Sequence, residues 1–170
     1  MALRKQTKYI VLHCSATRPS QDIDANTIDN WHRARGFFSI GYHYFIDRSG
    51  VREIGRQQDE VGAHAKGYNA ISVSICLAGG VAEDDHKKAE NNFTKAQFTE
   101  LDKLLEELVT VYPYAHIIGH NQISIKECPS FNVQTYLHGK SFSEKGDDLG
   151  IKASPTISTT TEEEKKIKDV

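Results

Sequence analysis

The nine residues KYIVLHCSA, at positions 8–16, form an apolar and β-branched stretch near the start of the chain. This composition predicts a buried strand that ends near His13. Adjacent strand residues point to opposite faces of a sheet, so if His13 faces an open site, Cys14 faces the core. A histidine at the end of a buried strand is a candidate for chemistry, although such a residue is more often simply hydrogen-bonded.

Four other short runs predict the remaining strands of a sheet. They lie at about residues 42–47, 51–55, 71–80 and 115–120. The first two flank a DRSG turn and therefore predict a hairpin. The last run, AHIIGH, ends in His120. Two predicted strands thus finish in a histidine.

The clearest helix is predicted to begin after Thr94, which forms a capping box with Gln97, and to end before Pro113. Its apolar residues repeat at helical spacing: Phe98, Leu101, Leu104, Leu105, Leu108 and Val111. This spacing predicts an amphipathic helix that packs its apolar side on the sheet.

Two shorter helices complete the predicted elements. One is capped by Asn26 or Thr27 and ends at Gly36, and the other follows Pro129 and ends at Gly139. The order of elements predicts an α/β (α+β) fold, in which a mixed β-sheet core is flanked by helices in a single domain.

The composition of the chain changes near its C-terminal end. Of the 170 residues, residues 1–140 are predicted to form the domain. Residues 141–170 contain few apolar side chains, a Ser/Thr run and a charge run, which predict a disordered tail.

Bulk properties narrow the classes of function. A net charge of −2 gives no support for direct nucleic-acid binding. Three cysteines cannot all pair, which favours a reducing compartment or a metal role over a disulfide framework. The early apolar run YIVL is too short for a signal peptide, and no run approaches membrane-spanning length, so we expect a protein made in the cytoplasm without membrane insertion.

The stretch HNQISIKECPSF, at residues 120–131, adds a cysteine to the two histidines. His13, His120 and Cys128 form a set of two imidazoles and one thiolate, which could hold zinc and leave a fourth position open. Spacing leaves other roles open for Cys128. It could be a buried core thiol, or a nucleophile paired with His120 and activated by Lys126.

Polar side chains near such a site could stabilise a reaction. A lysine ammonium at Lys126 could stabilise an oxyanion, and the Tyr42 hydroxyl could donate a hydrogen bond or help to move a proton. A glycine-containing loop at residues 56–70 carries His64 and Lys66. The ordinary alternatives are a solvated lysine and a cross-strand tyrosine. The other histidines have no assigned role: His32, His43, His86, His116 and His138.

Six motifs occur in a fixed order: VLHCSATRPSQ, WHRARGF, GYHYFIDRSG, VGAHAKGYN, ICLAGG and IIGHNQISIKECPSF. Together they resemble the zinc N-acetylmuramoyl-L-alanine amidases of the type-2 amidase and peptidoglycan-recognition-protein superfamily, and most of all the small endolysins of the T-odd coliphages. The resemblance covers about residues 8–138. It implies cleavage of the amide between N-acetylmuramic acid and L-alanine in peptidoglycan during host lysis.

The resemblance also assigns roles to residues of this chain. It implies that one zinc ion is held by the three residues of the candidate set: His13, His120 and Cys128. It implies that Tyr42 and Lys126 are catalytic, and that the loop with His64 and Lys66 contacts substrate. The chain departs from the family pattern at Ser74, where glycine is usual, and at Asn132, where an acidic residue is usual.

Other functions remain open from the sequence. A member of this fold could bind peptidoglycan without cutting it, and a metal-free Cys–His hydrolase is a further alternative. Some phage relatives also bind and inhibit a phage RNA polymerase, which makes that polymerase a candidate partner. We expect a monomer that reaches the cell wall through a separate pore-forming protein.

Overall fold

A computed structural model describes residues 1–142 of the chain. Its strands are β1 (Tyr9–Cys14), β2 (Tyr44–Ile46), β3 (Arg52–Ile54), β4 (Ser72–Leu77) and β5 (His116–Gly119), and its helices are α1 (Ala25–Ala34), α2 (Lys95–Val111) and α3 (Val133–Leu137). Short 3-10 turns at Asn69–Ile71 and His120–Gln122 flank the later strands. No helix within the described part has the length and apolar character needed to cross a membrane.

All five strands form one sheet in the order β3-β2-β4-β1-β5. β1 pairs in parallel with β4 and with β5, and β2 pairs in parallel with β4. β3 is antiparallel to β2, as the predicted hairpin requires. The prediction of a mixed sheet flanked by helices is therefore confirmed.

The two faces of the sheet carry different apolar clusters. Ile10 and Leu12 pack with the leucines of α2, which are fully buried. On the opposite face a second apolar cluster joins Ile28 of α1 to Phe45 of β2. Because side chains alternate along a strand, His13 lies on the face opposite to Leu12. The parallel pairing of β1, β4 and β5 places the carboxyl ends of these strands along one edge of the sheet.

Element boundaries differ from the predicted ones by a few residues. α1 is capped by Asp24 rather than by Asn26 or Thr27, because the Asp24 carboxylate accepts a hydrogen bond from the Thr27 backbone N–H at 2.7 Å. β5 ends one residue before His120, which begins a 3-10 turn. The capping box of Thr94 with Gln97 is present at the start of α2, as predicted.

The C-terminal part of the domain prediction lies mostly outside the described residues. The tail was predicted for residues 141–170, and residues 143–170 are not described. The boundary at residue 140 stays a prediction. The last helix, α3, begins after Asn132, whose side-chain oxygen accepts a hydrogen bond from the Thr135 N–H at 2.9 Å. Asn132, which stands where an acidic residue is usual in the family, therefore caps this helix.

Candidate metal centre

The carboxyl ends of two neighbouring strands bring His13 and His120 together. His13 is the fifth residue of β1, and His120 follows directly after β5. Their ring centroids are 4.5 Å apart. His13 is 1% exposed and His120 is 9% exposed, so both rings are shielded from bulk water.

Cys128 reaches the same point from the loop between β5 and α3. Its Sγ lies 3.6 Å from His13 Nδ1 and accepts a hydrogen bond from the Cys14 backbone N–H at 3.2 Å. One ligand atom from each of His13, His120 and Cys128 lies within 4.8 Å of the others. The structure thus brings together the three residues that the sequence proposed as ligands.

The donor set and its spacing suit a zinc ion. Zinc binds imidazole nitrogen at about 2.0–2.1 Å and thiolate sulfur at about 2.3 Å, so ligand atoms of a tetrahedral site lie about 3.3–3.8 Å apart. The 3.6 Å separation of His13 Nδ1 and Cys128 Sγ falls in that range. Three protein ligands leave the fourth position open to water or substrate, as in catalytic zinc sites.

The electrostatics of the site keep both imidazoles neutral. Burial, reinforced by the neighbouring imidazole of His64, lowers the pKa of His13 well below its ordinary value. Burial and the nearby charge of Lys126 lower the pKa of His120 to about 4. Neutral imidazoles have a free lone pair for a metal. Burial raises the pKa of the Cys128 thiol, and a bound cation would offset that effect by stabilising the thiolate.

Tyr42 and Lys126 line the same cavity, which has a volume of about 530 Å³ and contains all three candidate ligands. The Tyr42 ring centroid lies 5.0 Å from that of His13. Burial raises the pKa of the Tyr42 hydroxyl well above its ordinary value, so this group stays protonated and can donate a hydrogen bond. Tyr42 lies two residues before β2. Its carbonyl accepts a hydrogen bond from the Arg56 N–H, so the backbone pairing of the hairpin extends beyond β2 to Tyr42.

His64 lies against a candidate ligand. Its Nδ1 is 2.9 Å from His13 Nε2, and its Nε2 is 3.1 Å from Ser72 Oγ. Lys66 is exposed and lines the cavity two residues further along the same loop. The structure therefore places both loop residues at the cavity, with His64 also in contact with His13.

Sequence reasoning singled out no residue of WHRARGF, yet three of its residues line the cavity: His32, Arg35 and Phe37. The Arg35 guanidinium lies over the Phe37 ring, 5.3 Å from its centroid. His32 Nδ1 accepts a hydrogen bond from the Gly41 N–H at 2.8 Å. In the sequence, these residues are indicated only by the occurrence of WHRARGF among the family motifs. The spacing within this motif does not indicate a role for Arg35.

Ser74, the other departure from the family pattern, is hydrogen-bonded within the core. Its Oγ lies 3.0 Å from His43 Nδ1, and its backbone N–H donates to the same nitrogen at 3.0 Å. His43 Nε2 donates to the Glu60 carbonyl at 2.8 Å. The extra hydroxyl is therefore accommodated by a buried histidine that has no assigned role in the site.

The other two cysteines are buried. Cys76 is fully buried in β4. Cys14 Sγ lies 3.7 Å from Ser130 Oγ and close to Gly80, where an added Cβ would be only 2.5 Å from that sulfur. Cys14 thus packs beside the Cys128 loop, and its backbone N–H donates a hydrogen bond to Cys128 Sγ in the candidate metal centre.

Residues 3–131 match the model of the N-acetylmuramoyl-L-alanine amidase family. The endolysin of Escherichia phage T7 is 43% identical over 133 residues, which cover 78% of this chain and 87% of that protein. The solved endolysin amidase LysCS from Clostridium intestinale is 26% identical with a TM-score of 0.67, covering 81% of this chain and 89% of LysCS.

Drosophila PGRP-LB shares the fold, with 22% identity and a TM-score of 0.69 over 88% of this chain and 89% of that one. Both the superfamily and the likeness to small phage endolysins, as predicted from the motifs, are confirmed. The match to the family model spans more than half of the chain. The chain belongs to the N-acetylmuramoyl-L-alanine amidase family.

Proposed function

We propose that this chain is a zinc-dependent phage endolysin that hydrolyses the amide between the lactyl group of N-acetylmuramic acid and L-alanine in peptidoglycan. The observation that carries this proposal is the convergence of His13, His120 and Cys128 in the cavity that Tyr42 and Lys126 also line. Family membership supplies the reaction class.

A zinc ion held by these three residues would supply Lewis-acid activation of water and of the amide carbonyl. His13, His120 and Cys128 would keep the metal position buried and would direct their ligand atoms toward it. Water attacks the carbonyl carbon, the C–N bond then breaks, and the amine of L-alanine leaves with a proton that comes from the attacking water. A single thiolate leaves the site with net positive charge, which favours the anionic transition state of this reaction.

Tyr42 and Lys126 would act on the reacting atoms. The oxyanion that forms from the carbonyl oxygen needs donors already in place, and an ammonium group at Lys126 meets that need. The buried Tyr42 hydroxyl, which stays protonated, would orient the attacking water or assist proton transfer. Both assignments rest on their position in the cavity and on the family resemblance.

The charge of the cavity supports an anionic stem peptide as substrate. Among residues 1–142, its lining includes three cationic residues, Arg35, Lys66 and Lys126, and no aspartate or glutamate. Peptidoglycan stem peptides carry carboxylates, which arginine and lysine bind through charge-assisted hydrogen bonds. Lys66, which is exposed at the cavity, would contact the stem peptide, and the position of Arg35 is suited to the same task.

Release of free N-terminal alanine from purified peptidoglycan tests this function. We expect release by the zinc-loaded protein, loss of release after treatment with a chelator, and recovery on addition of zinc. Release that survives complete removal of metal would instead favour the Cys–His hydrolase alternative. Binding to peptidoglycan without any release, with zinc present, would favour a recognition protein that does not cut.

The remaining expectations concern the location, the assembly and a further partner of the protein. Synthesis in the host cytoplasm, delivery to the wall through a separate pore-forming protein and a monomeric state are part of the same proposal. Inhibition of a phage RNA polymerase stays a prediction, alone or in addition to amidase activity. A pull-down with the polymerase of the cognate phage tests it, and recovery of no polymerase would exclude that partner.

A further inference from the structure

We propose that His64 is a positioning residue for the metal centre, because it accepts a hydrogen bond from His13 and so turns the free lone pair of His13 toward the metal position. The inference rests on the proposed zinc site. It gives a second role to a residue that the sequence suggested only as a substrate contact. The observations that carry it are a continuous chain of hydrogen bonds and the packing that holds His64 in place.

The direction of each hydrogen bond follows from a backbone carbonyl at the end of the chain. The Tyr68 carbonyl can only accept, so the Ser72 hydroxyl, at 2.7 Å, must donate to it. The lone pairs of Ser72 Oγ are then available to the N–H of His64 Nε2, at 3.1 Å. A neutral His64 protonated at Nε2 has its lone pair at Nδ1.

The same chain determines the tautomer of His13. Its Nε2 lies 2.9 Å from the Nδ1 lone pair of His64 and must donate to it. The neutral His13 ring therefore has its lone pair at Nδ1, the nitrogen that lies 3.6 Å from Cys128 Sγ. The chain of hydrogen bonds that begins at the Tyr68 carbonyl therefore ends with the Nδ1 lone pair of His13 directed toward the candidate metal position.

His64 is held by its surroundings on several sides. The Asn69 side-chain oxygen accepts hydrogen bonds from the backbone N–H groups of His64 at 2.8 Å and Ala65 at 2.9 Å. Ser72 is fully buried in β4, where it is paired with Tyr9 of β1. An added Cβ at Gly62 would lie only 2.7 Å from His64 Cδ2, so this glycine allows the ring to pack where it does.

The chemistry of the partner matters as well as its position. A metal-bound histidine commonly donates its second N–H to a carboxylate or a carbonyl, and that partner fixes the ring and raises its basicity. Here the acceptor is a neutral imidazole, which orients His13 without adding negative charge to the site. The site therefore keeps the positive charge that the anionic transition state of the proposed reaction requires.

Zinc affinity, measured by competition with a chromophoric chelator in the full-length protein, tests the inference without any substrate. His64→Ala removes the acceptor, and we expect it to weaken zinc binding roughly 10- to 100-fold, the usual cost of losing such a partner. His64→Asn places an amide oxygen near the position of Nδ1, and we expect it to restore most of the affinity. His138→Ala is a matched control because His138 is exposed at the end of α3.

Ser72→Ala is a second test variant if His64→Ala fails to fold. It keeps His64 and removes only the hydroxyl that accepts a hydrogen bond from His64 Nε2. We expect a several-fold loss of zinc affinity, together with a modest fall in thermal stability, in a zinc-free protein that still unfolds cooperatively. Wild-type affinity in a folded His64→Ala or Ser72→Ala protein would overturn the inference, as would a His64→Asn protein no tighter than His64→Ala. Failure of the wild-type protein to bind zinc would overturn the proposed metal site itself.

Discussion

At the scale of single residues, the candidate site depends on three atoms that come from distant parts of the chain. His13 and Cys128 are separated by 115 positions, yet their Nδ1 and Sγ atoms lie 3.6 Å apart. The backbone N–H of Cys14 donates to the same sulfur at 3.2 Å. This donor favours the thiolate and partly offsets burial, which raises the pKa of the Cys128 thiol.

The role of Lys126 gives a prediction at this scale. Lys126→Ala removes the cation proposed to stabilise the oxyanion, and we expect a loss of kcat of roughly 100- to 1000-fold, comparable to the loss of one oxyanion donor. Zinc content should stay unchanged, because the lysine is not a ligand. Elemental analysis and alanine release, measured on the same sample, check both parts.

Lys66→Ala is the matched lysine variant for that experiment. Lys66 is exposed and lies on the loop where the substrate is expected to bind. We expect it to raise KM more than it lowers kcat, because it would contact bound substrate equally well before and during the reaction. Loss of zinc from Lys126→Ala would mean that the lysine maintains the structure of the site.

At the scale of helices and strands, local patterns predicted most of the elements and few of their contacts. The apolar spacing from Phe98 to Val111 and the capping box at Thr94 are local features, and α2 follows them. The prediction that Asn26 or Thr27 caps α1 is wrong, because several neighbouring side chains in this segment are able to cap a helix. Asp24 takes that position through its bond with the Thr27 N–H.

The candidate site was predictable only in part, for a physical reason. Strand ends could be located from composition, and the motif resemblance supplied the grouping of His13 with Cys128. The contact between His64 and His13 joins residues 51 positions apart through the pairing of β1 with β4. No periodic pattern in the sequence indicates such a contact, because the contact depends on the register of parallel strands and on the loop that precedes β4.

At the scale of the whole molecule, the net charge is −2, yet the lining of the candidate site's cavity includes three cationic side chains, those of Arg35, Lys66 and Lys126. The molecule also buries several histidines in neutral form. Burial lowers the pKa of His13 and His64 well below the ordinary value, and lowers that of His43 and His120 to about 4. This shared property makes the stability of the zinc-free protein dependent on pH.

His43 allows this dependence to be tested away from the metal ligands. Its unfolded pKa is near 6.5 and its folded pKa is about 4, mainly because it is buried. Between these values the unfolded state binds more protons, so the free energy of unfolding falls as the pH is lowered through this window. From pH 7 to pH 4 we expect a loss of about 3 kcal/mol from His43 alone.

Urea unfolding of zinc-free protein at several pH values between 7 and 4 measures this effect. His43→Gln should have a shallower pH dependence than the wild type, by up to about one proton per molecule in the slope. The exposed His138 serves as the control position, and His138→Ala should follow the wild-type curve. A His43→Gln curve as steep as the wild-type one would show that folding does not lower the pKa of His43.

The central claim is that His13, His120 and Cys128 hold one zinc ion, and the zinc content of purified Cys128→Ser tests it most directly. We expect about one zinc per chain in the wild type, because three converging ligands form a complete protein donor set for a catalytic site. Cys128→Ser should lose most of that zinc. Cys14→Ser should keep it, because serine retains the backbone N–H that donates to Cys128 Sγ. Full zinc occupancy in Cys128→Ser would contradict the assignment.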